Sequence, residues 1–412
     1  MLYKIRKSCA ICGNTQLKTI MKYGEVPLAG FFPSKEELNN DKRYNLNLLF
    51  CPQCNLVQTD SIINPDILFK DYRYMSSIGL EKHFTDVAKM LKERFNPRRI
   101  LEIGANDGVL LKPLNDLDVE TMGFDPAINV VKVGIEKGCN IIPDYFNEES
   151  VSKYKIENYF DIVVANNCFA HIDDIHGIVK GVKKTLKPNG HFIIEVHYIR
   201  DLVEQNQYET VYHEHLYYYS VTALNNLFKR CDMTIVDVEE IPIHAGSIRI
   251  FVKNAKENIN EKMKSIYIIE KNKGLTSFNY FNDFGNRVRE HIEKVKNVLR
   301  EIKKEGKTII GYGASGRGNI FCNLCNITPD IVNYIIDESP ERIDRYTAGT
   351  HIPIMLPKHI EDSKPDYIFI FAWNYSKMII DKLKGNNYKY IIAFPEIIIL
   401  DDTKLLTNKL FI

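Results

Sequence analysis

One local pattern, met twice, restricts this chain more than any other. An apolar run of strand length ends in glycine and passes straight into a helical start. The first copy is Arg99-Ile-Leu-Glu-Ile-Gly104, then Ala105-Asn-Asp-Gly108 and Val109-Leu-Leu-Lys112. The second is Lys307-Thr-Ile-Ile-Gly311, then Tyr312-Gly313-Ala-Ser-Gly316-Arg317-Gly318-Asn319. Such a turn opens a βα unit and brings backbone amides to a ligand at the helix N-terminus. Further apolar runs follow each copy: Asp161–Asn166, Gly190–Glu195, Thr234–Glu239 and Ile243–Val252 after the first, Tyr334–Asp337, Asp366–Ala372 and Lys389–Ala393 after the second. The fold class is therefore α/β with two Rossmann-like halves that share little literal sequence. A length of 412 residues fits two or three domains of about 100–200 residues each. The expected division is a metal-stapled module over 1–75, an α/β domain over 76–255, a helical segment over 256–305 and a second α/β domain over 306–412. The helical segment reads as one amphipathic helix, with Phe281, Phe284, Val288, Ile292, Val295, Leu299 and Ile302 at three-four spacing.

Nine cysteines, an odd number, argue against a disulfide framework. Cys9-Ala-Ile-Cys12-Gly13 has the form of a zinc knuckle, and Cys51-Pro-Gln-Cys54 is its natural partner. Four thiolates suit tetrahedral zinc and leave no position for water, so the zinc expected here is structural. Cys322 and Cys325 lie in an apolar helical stretch with no second pair.

In the first α/β half the residues read as a nucleoside-binding edge. Glu102, Gly104, Asn106, Asp107 and Gly108 form the turn. Asp125, at the end of the next strand and followed by Pro126, stands where an acid binds ribose hydroxyls. Phe146 closes a segment suited to cover an adenine, and Asn166 ends the fourth strand. Together these predict a Rossmann-like methyltransferase domain that binds S-adenosylmethionine. His171, in Asn166-Asn-Cys-Phe-Ala-His171, lies at the same carboxyl edge and could face a substrate.

The second half keeps two readings open. Gly311-x-Gly313-x-x-Gly316 with Asp337 downstream fits a dinucleotide fingerprint and so an NAD-dependent enzyme. Arg317 and Asn319, just past the turn, suit any pyrophosphate, including that of a nucleotide-linked sugar.

Between the last strands of the first half lies Tyr212-His213-Glu214-His215, dense in groups that move protons near neutral pH. Composition is that of an ordinary globular protein, and a net charge of +1 implies no nucleic-acid surface. No signal pattern opens the chain and no run of about 18 apolar residues occurs, so a cytoplasmic protein with no membrane span is expected.

These motifs, in one order along nearly the whole chain, resemble the sugar C-methyltransferases that act on nucleotide-linked 4-keto-deoxysugars. The resemblance is carried by the two cysteine pairs with Val26-Pro-Leu-Ala29 between them, Tyr72-Arg-Tyr-Met-Ser-Ser77, Glu102–Gly108, Asn166–His171 and Glu195-Val-His-Tyr198. It continues in Tyr212–Leu216, His244-Ala-Gly-Ser247, Gly311-Tyr-Gly-Ala314, Thr350-His-Ile-Pro-Ile354 and Ala372-Trp-Asn374. Departures are Ala245, where a second glycine is usual, Ser315, and the stretch Ser339–Arg345. The resemblance implies a zinc module, a methyltransferase domain and a C-terminal domain that holds the nucleotide-sugar, dTDP- or GDP-linked, without binding a dinucleotide, in a monomer or homodimer. It implies His215 as the base that removes the C3 proton beside the C4 ketone. Glu214 would orient that base or hold a sugar group, and Tyr212 and His171 would hydrogen-bond the ketone oxygen. Tyr72 or Tyr74 would reach in from the zinc module. Substrate contacts fall on Ser76, Ser77, His197, His244, Ser247, Arg249, Tyr312, Arg317 and Asn319. An O- or N-methyltransferase of a sugar remains the alternative within the same cofactor class.

Overall fold

In the computed structural model the structure describes residues 2–70 and 75–401, so Tyr72 and Tyr74 lie outside the described residues. The chain divides into two compact units. The first combines Met1–Lys18, Phe50–Ile199 and Glu214–Phe278; the second combines Thr19–Leu49, Arg200–His213 and Asn279–Ile412.

The first unit is built on seven strands: β1 (Arg99–Ile103), β2 (Glu120–Phe124), β3 (Ile141–Ile142), β4 (Phe160–Asn166), β5 (Leu186–His197), β6 (Thr234–Ile241) and β7 (Ser247–Lys253). Their order across the sheet is β3-β2-β1-β4-β5-β7-β6. All neighbours from β3 to β5 pair in parallel. Strand β7 runs against both β5 and β6, so the last hairpin folds back between them. Strand order reverses beside β1, which places the carboxyl ends of β1 and β4 at a topological switch point. The helix α1 (Ser77–Phe95) packs on the sheet because Phe84, Val87, Ala88 and Leu91 recur on one face and meet Ile100, Ile162, Val164, Ile193 and Phe251. Burying one such leucine contributes about 2 kcal/mol. Asn96 ends the helix in the left-handed conformation, its N–H donating to the Lys92 carbonyl at 2.9 Å.

The zinc module is two knuckles of one design. The Gly13 N–H donates to the Cys9 carbonyl and the Asn55 N–H to the Cys51 carbonyl, both at 2.9 Å. Gly13 and Asn55 each take a positive φ, 74° and 63°. The four sulfurs lie within 4.8 Å of one another, with Cys9–Cys54 at 3.3 Å and Cys12–Cys51 at 3.5 Å. Tetrahedral zinc with bonds of about 2.3 Å wants sulfurs roughly 3.7 Å apart. The donor set fits zinc, and Cys9, Cys12, Cys51 and Cys54 are its ligands. The strand Val57–Thr59, just past the second knuckle, pairs antiparallel with Tyr217–Tyr218.

The second unit carries a six-stranded sheet made of β8 (Ile309–Tyr312), β9 (Ile335–Ile336), β10 (Ile354–Met355), β11 (Tyr367–Ile370), β12 (Lys389–Ile392) and β13 (Ile398–Asp401). The order is β10-β9-β8-β11-β12-β13, parallel except for the last strand. The 256–305 segment is two helices, not the single one expected. Asn260 caps Glu261–Lys273, and Gly274 at φ 94° stops it before Phe278–Lys304 begins. Both signals stand in the sequence, but the long apolar stripe overrode them. Among the described residues, no helix is long and apolar enough to cross a membrane.

Because the zinc knuckles hold the strand that pairs with Tyr217–Tyr218, zinc loss should reach beyond the module. Cys51→Ser protein is expected to carry well under one equivalent of zinc by atomic absorption, to melt at lower temperature and to lose methyl-transfer activity.

Candidate active site

The turn after β1 is shaped by glycine at one decisive point. Gly104 sits at φ 74°, and a Cβ there would lie 2.7 Å from the Cys168 Cβ. Cys168 belongs to the loop after β4, so β1 and β4 close on each other here. Around this turn acids and amides gather. The Asp125 carboxylate accepts from the Asn106 and Ala127 N–H groups, each at 2.9 Å. Asp107 is buried and receives Lys137 Nζ at 3.0 Å and the Ser77 hydroxyl. The Ser76 N–H donates to Asn106 Oδ1 at 2.9 Å. Ser76 and Ser77, expected at the substrate, thus fasten the start of α1 to this turn. Phe146 is buried edge-on against Phe124 at a ring distance of 5.4 Å, and Pro126 is half-buried beside Asp125.

Several polar atoms at this edge have no hydrogen-bond partner among the described residues: Glu102 Oε2, Asp107 Oδ1 and both polar atoms of the Asn166 side chain, all buried. Each costs about 1–3 kcal/mol when left unsatisfied. Burial pushes the Glu102 carboxyl well above its usual range, and the charges of Asp125 and Asp107 add to this. Burial also raises Asp125, against the pull of its two backbone donors. A cluster of this kind is built to receive a cationic ligand rich in donors.

Next to it stands a row of imidazoles. His215 is 8% exposed. Its ring centroid lies 4.9 Å from that of His171 and 5.1 Å from that of His197, and His197 lies 5.5 Å from His244. His171 Nε2–H donates to the Asn167 carbonyl at 2.9 Å. Burial lowers its pKa to about 4, so the ring is neutral and its other nitrogen can only accept. That geometry does not support the expected donation from His171 to a ketone oxygen. Glu214 is half-buried in this unit. Tyr212, also half-buried, falls in the second unit with His213, whose Nε2–H faces the Asn45 carbonyl at 3.3 Å. Arg249 and Ser247 are taken up internally. Arg249 pairs with the buried Glu195 at 3.0 Å and with Glu239 at 3.1 Å, and the Ser247 hydroxyl donates to the Ile243 carbonyl at 3.2 Å. Burial opposes the Glu195 charge, but His83 and Arg249 outweigh it and hold the carboxyl below its usual range.

In the second unit the glycine turn after β8 is filled by the chain itself. A Cβ on Gly316 would meet the Ala29 carbonyl at 3.2 Å. Asn319, fully buried, donates to the Ala29 and Phe31 carbonyls at 2.8 and 3.1 Å. Asp337, the acid of the dinucleotide fingerprint, instead accepts from the Ser339 N–H at 2.8 Å and pairs with Arg342 at 3.5 Å. Arg317 turns inward. Its Nη1 is buried, and with Glu209, Phe321, Phe371 and Phe394 it lines a void of about 10 Å³. Tyr312 donates to Glu338 at 2.7 Å. Expected as ligand contacts, Arg317 and Asn319 serve the interior of this unit. Glu209 was not singled out from the sequence. It is 1% exposed, and Trp373 Nε1–H donates to it at 3.0 Å. Burial lifts its pKa to about 7, against the pull of Arg317 and Trp373. A lone acid in a short polar stretch gives no periodic signal that would mark it.

Three family models match in succession: "zinc binding domain" over residues 9–69, "Methyltransferase domain" over 75–238 and "C-methyltransferase C-terminal domain" over 242–395. C-methyltransferase NovU of Streptomyces niveus is 28% identical over 403 residues, 94% of this chain and 95% of its own. The chain is a methyltransferase whose series of domains is that of the C-methyltransferases. The ubiquinone biosynthesis O-methyltransferase of Rhodopseudomonas palustris (strain HaA2) matches over 97 residues at 28% identity, 23% of this chain and 38% of its own. The solved structure of the PH0226 protein from Pyrococcus horikoshii OT3 aligns with a TM-score of 0.37 at 16% identity, over 46% of this chain and 97% of its own.

The atoms of Glu102, Asp107 and Asn166 that lack a partner among the described residues fit a methyl donor by their chemistry. S-adenosylmethionine brings hydroxyls, an ammonium and a positive sulfonium, which suit two acids and an amide. Glu102→Ala is expected to weaken S-adenosylhomocysteine binding about tenfold or more by calorimetry, while zinc content stays at wild type. A second expectation concerns acid. An unfolded histidine takes up a proton near pH 6.5, whereas folded His171 resists until about pH 4. The unfolded state therefore binds more protons in that window, and His171 contributes to a loss of stability as pH falls through it. His171→Gln should show a smaller drop in melting temperature between pH 7 and pH 5 than wild type does.

Proposed function

We propose that this C-methyltransferase methylates C3 of a nucleotide-linked 4-keto-6-deoxy sugar in the cytoplasm, in the synthesis of branched-chain sugars. The observation that carries the reading is the buried His215, in ring contact with two further histidines in the same unit as the cofactor turn. Carbon methylation needs a carbon nucleophile. A C–H next to a ketone supplies one once a base removes the proton, because the charge spreads onto the ketone oxygen. Imidazole, with an ordinary pKa near 6.5, is largely neutral at pH 7 and suits that task.

In this mechanism S-adenosylmethionine supplies an electrophilic methyl group. His215 takes the C3 proton. Neutral His171, committed to the Asn167 carbonyl, lies beside the base without competing for that proton. Glu102, Asp107, Asn166 and the backbone of Gly104–Gly108 hold the methyl donor, and Asp125 holds its ribose. The roles of Tyr212, Glu214, Tyr72 and Tyr74 rest on the sequence resemblance, as does the dTDP- or GDP-linked sugar. The NAD-dependent alternative loses support where Ala29–Phe31 fill the second glycine turn and Asp337 is spent on Arg342 and Ser339. The O-methyltransferase similarity spans 97 residues, against 403 for the C-methyltransferase. That difference favours carbon as the acceptor.

His215→Ala and His215→Asn are expected to lower methyl transfer to the accepted keto-sugar by about a hundredfold or more, with S-adenosylhomocysteine binding unchanged. Activity within a few-fold of wild type would remove His215 as the base.

A further inference from the structure

The imidazole row extends beyond what deprotonation requires. Replacing a hydrogen on carbon by a methyl cation releases one proton per turnover. The C–H bond breaks with its electron pair left on the carbon, that pair forms the new C–C bond as the methyl–sulfur bond of the donor breaks and leaves its pair on sulfur, and the proton stays on His215. The base is buried and must lose this proton before it can act again. A ring-to-ring N–H···N contact of about 3 Å places two imidazole centroids roughly 5 Å apart. The observed spacings, 5.1 Å for His215–His197 and 5.5 Å for His197–His244, match such a chain.

We propose that His197 and His244 form an imidazole relay that carries the abstracted proton from His215 to solvent. The relay rests on the keto-sugar reading above. Each imidazole has two nitrogens, so it accepts a proton at one and releases another at the other, and ring rotation restores the starting tautomers. The row leads from its buried member to a turn with exposed neighbours. His215 is buried, while His197 and His244 are half-buried, and His244 sits in a turn beside the exposed Pro242 and Glu240. In the other direction it stops at His171, whose Nε2–H is committed to Asn167 and whose ring resists protonation.

The backbone holds His244 in this place at a cost. His244 and Ala245 take φ values of 52° and 63°, and Gly246 follows at 119°. Two consecutive non-glycine residues at positive φ are strained and persist where surrounding contacts enforce them. Here the Gly246 N–H donates to the Ile243 carbonyl at 3.0 Å, and the Tyr198 N–H donates to the Gly246 carbonyl at 3.2 Å. The second of these ties the turn to the residue next to His197. These two histidines therefore accept and pass on the proton that His215 removes, and neither takes it from the sugar.

The test uses His244→Gly and His197→Asn with dTDP-4-keto-6-deoxyglucose and its GDP-linked counterparts. Glycine suits the φ of residue 244 and leaves space for added imidazole. Without methyl donor, deuterium wash-in beside the ketone reports exchange of the His215 proton with solvent. It is expected to fall about tenfold in both variants, because an unrelayed proton returns to the same carbon. S-adenosylhomocysteine binding and zinc content should stay at wild type in both variants, and added imidazole should restore wash-in in His244→Gly. Wild-type wash-in in His244→Gly, or a raised KM with unchanged wash-in, overturns the relay and makes His244 a substrate contact. Wash-in lost without rescue by imidazole, at wild-type zinc content, also overturns it. Wild-type protein that washes deuterium into none of the sugars overturns the keto-sugar reading, and the relay with it.

Discussion

The backbone of a single residue ties the site together. The Leu216 N–H donates to the Ala170 carbonyl at 2.8 Å, and the Leu216 carbonyl accepts from the Thr59 N–H at 2.9 Å. One bond fastens the residue after His215 to the loop that carries His171. The other fastens it to the strand that leaves the second zinc knuckle. Tyr217 and Tyr218 extend that pairing opposite Gln58 and Val57. Arg6, from the other side of the first knuckle, donates to the Tyr217 hydroxyl at 2.7 Å, and that hydroxyl donates to the Asp173 carbonyl at 2.8 Å. A metal with no catalytic position would thereby steady the proposed base, since it anchors the strand that begins two residues beyond His215. Small modules without a large core depend on such staples, and this one passes its rigidity directly to the histidine row.

The cofactor edge and the histidine row are stabilised by opposite means. Around Gly104 the protein leaves acids and an amide buried and unsatisfied, a cost repaid when a cationic donor binds. Along the row the imidazoles meet ring to ring, and the one held firmly neutral, His171, stands at one end. Glu195, between the two, is buried yet ionised because His83 on α1 and Arg249 on β7 meet it from different elements. The helix that covers the cofactor turn is thus anchored twice, at Ser77 on Asp107 and at His83 on Glu195.

Much of this was legible in the sequence because it is local. Cysteine spacing, the glycine turns and the strand periodicities each need only a few neighbouring residues, and they led to the zinc module and both α/β sheets. What was not legible depends on contacts between distant segments. His197 and His244 stand 47 positions apart, and only the pairing of β5 with β7 brings them together. Arg317 looked like a phosphate contact because its turn is indistinguishable locally from one that binds a nucleotide. Only the distant Ala29–Phe31 segment, lying over Gly316, turns the reading around. Glu209 carried no motif at all, and its buried pairing with Trp373 spans 164 positions. The break at Gly274 was local and readable, but a seven-residue apolar stripe outweighed a single glycine.

The proposed reaction forms a carbon–carbon bond beside a ketone. The most direct measurement follows a 4-keto-6-deoxy nucleotide-sugar that carries deuterium at C3 through one methylation. Product mass and carbon connectivity by NMR are then read together. The expected product has its new methyl carbon bonded to C3 and has lost the deuteron. A methylated product that keeps the deuteron at C3, with its methyl group on oxygen or nitrogen, would contradict it.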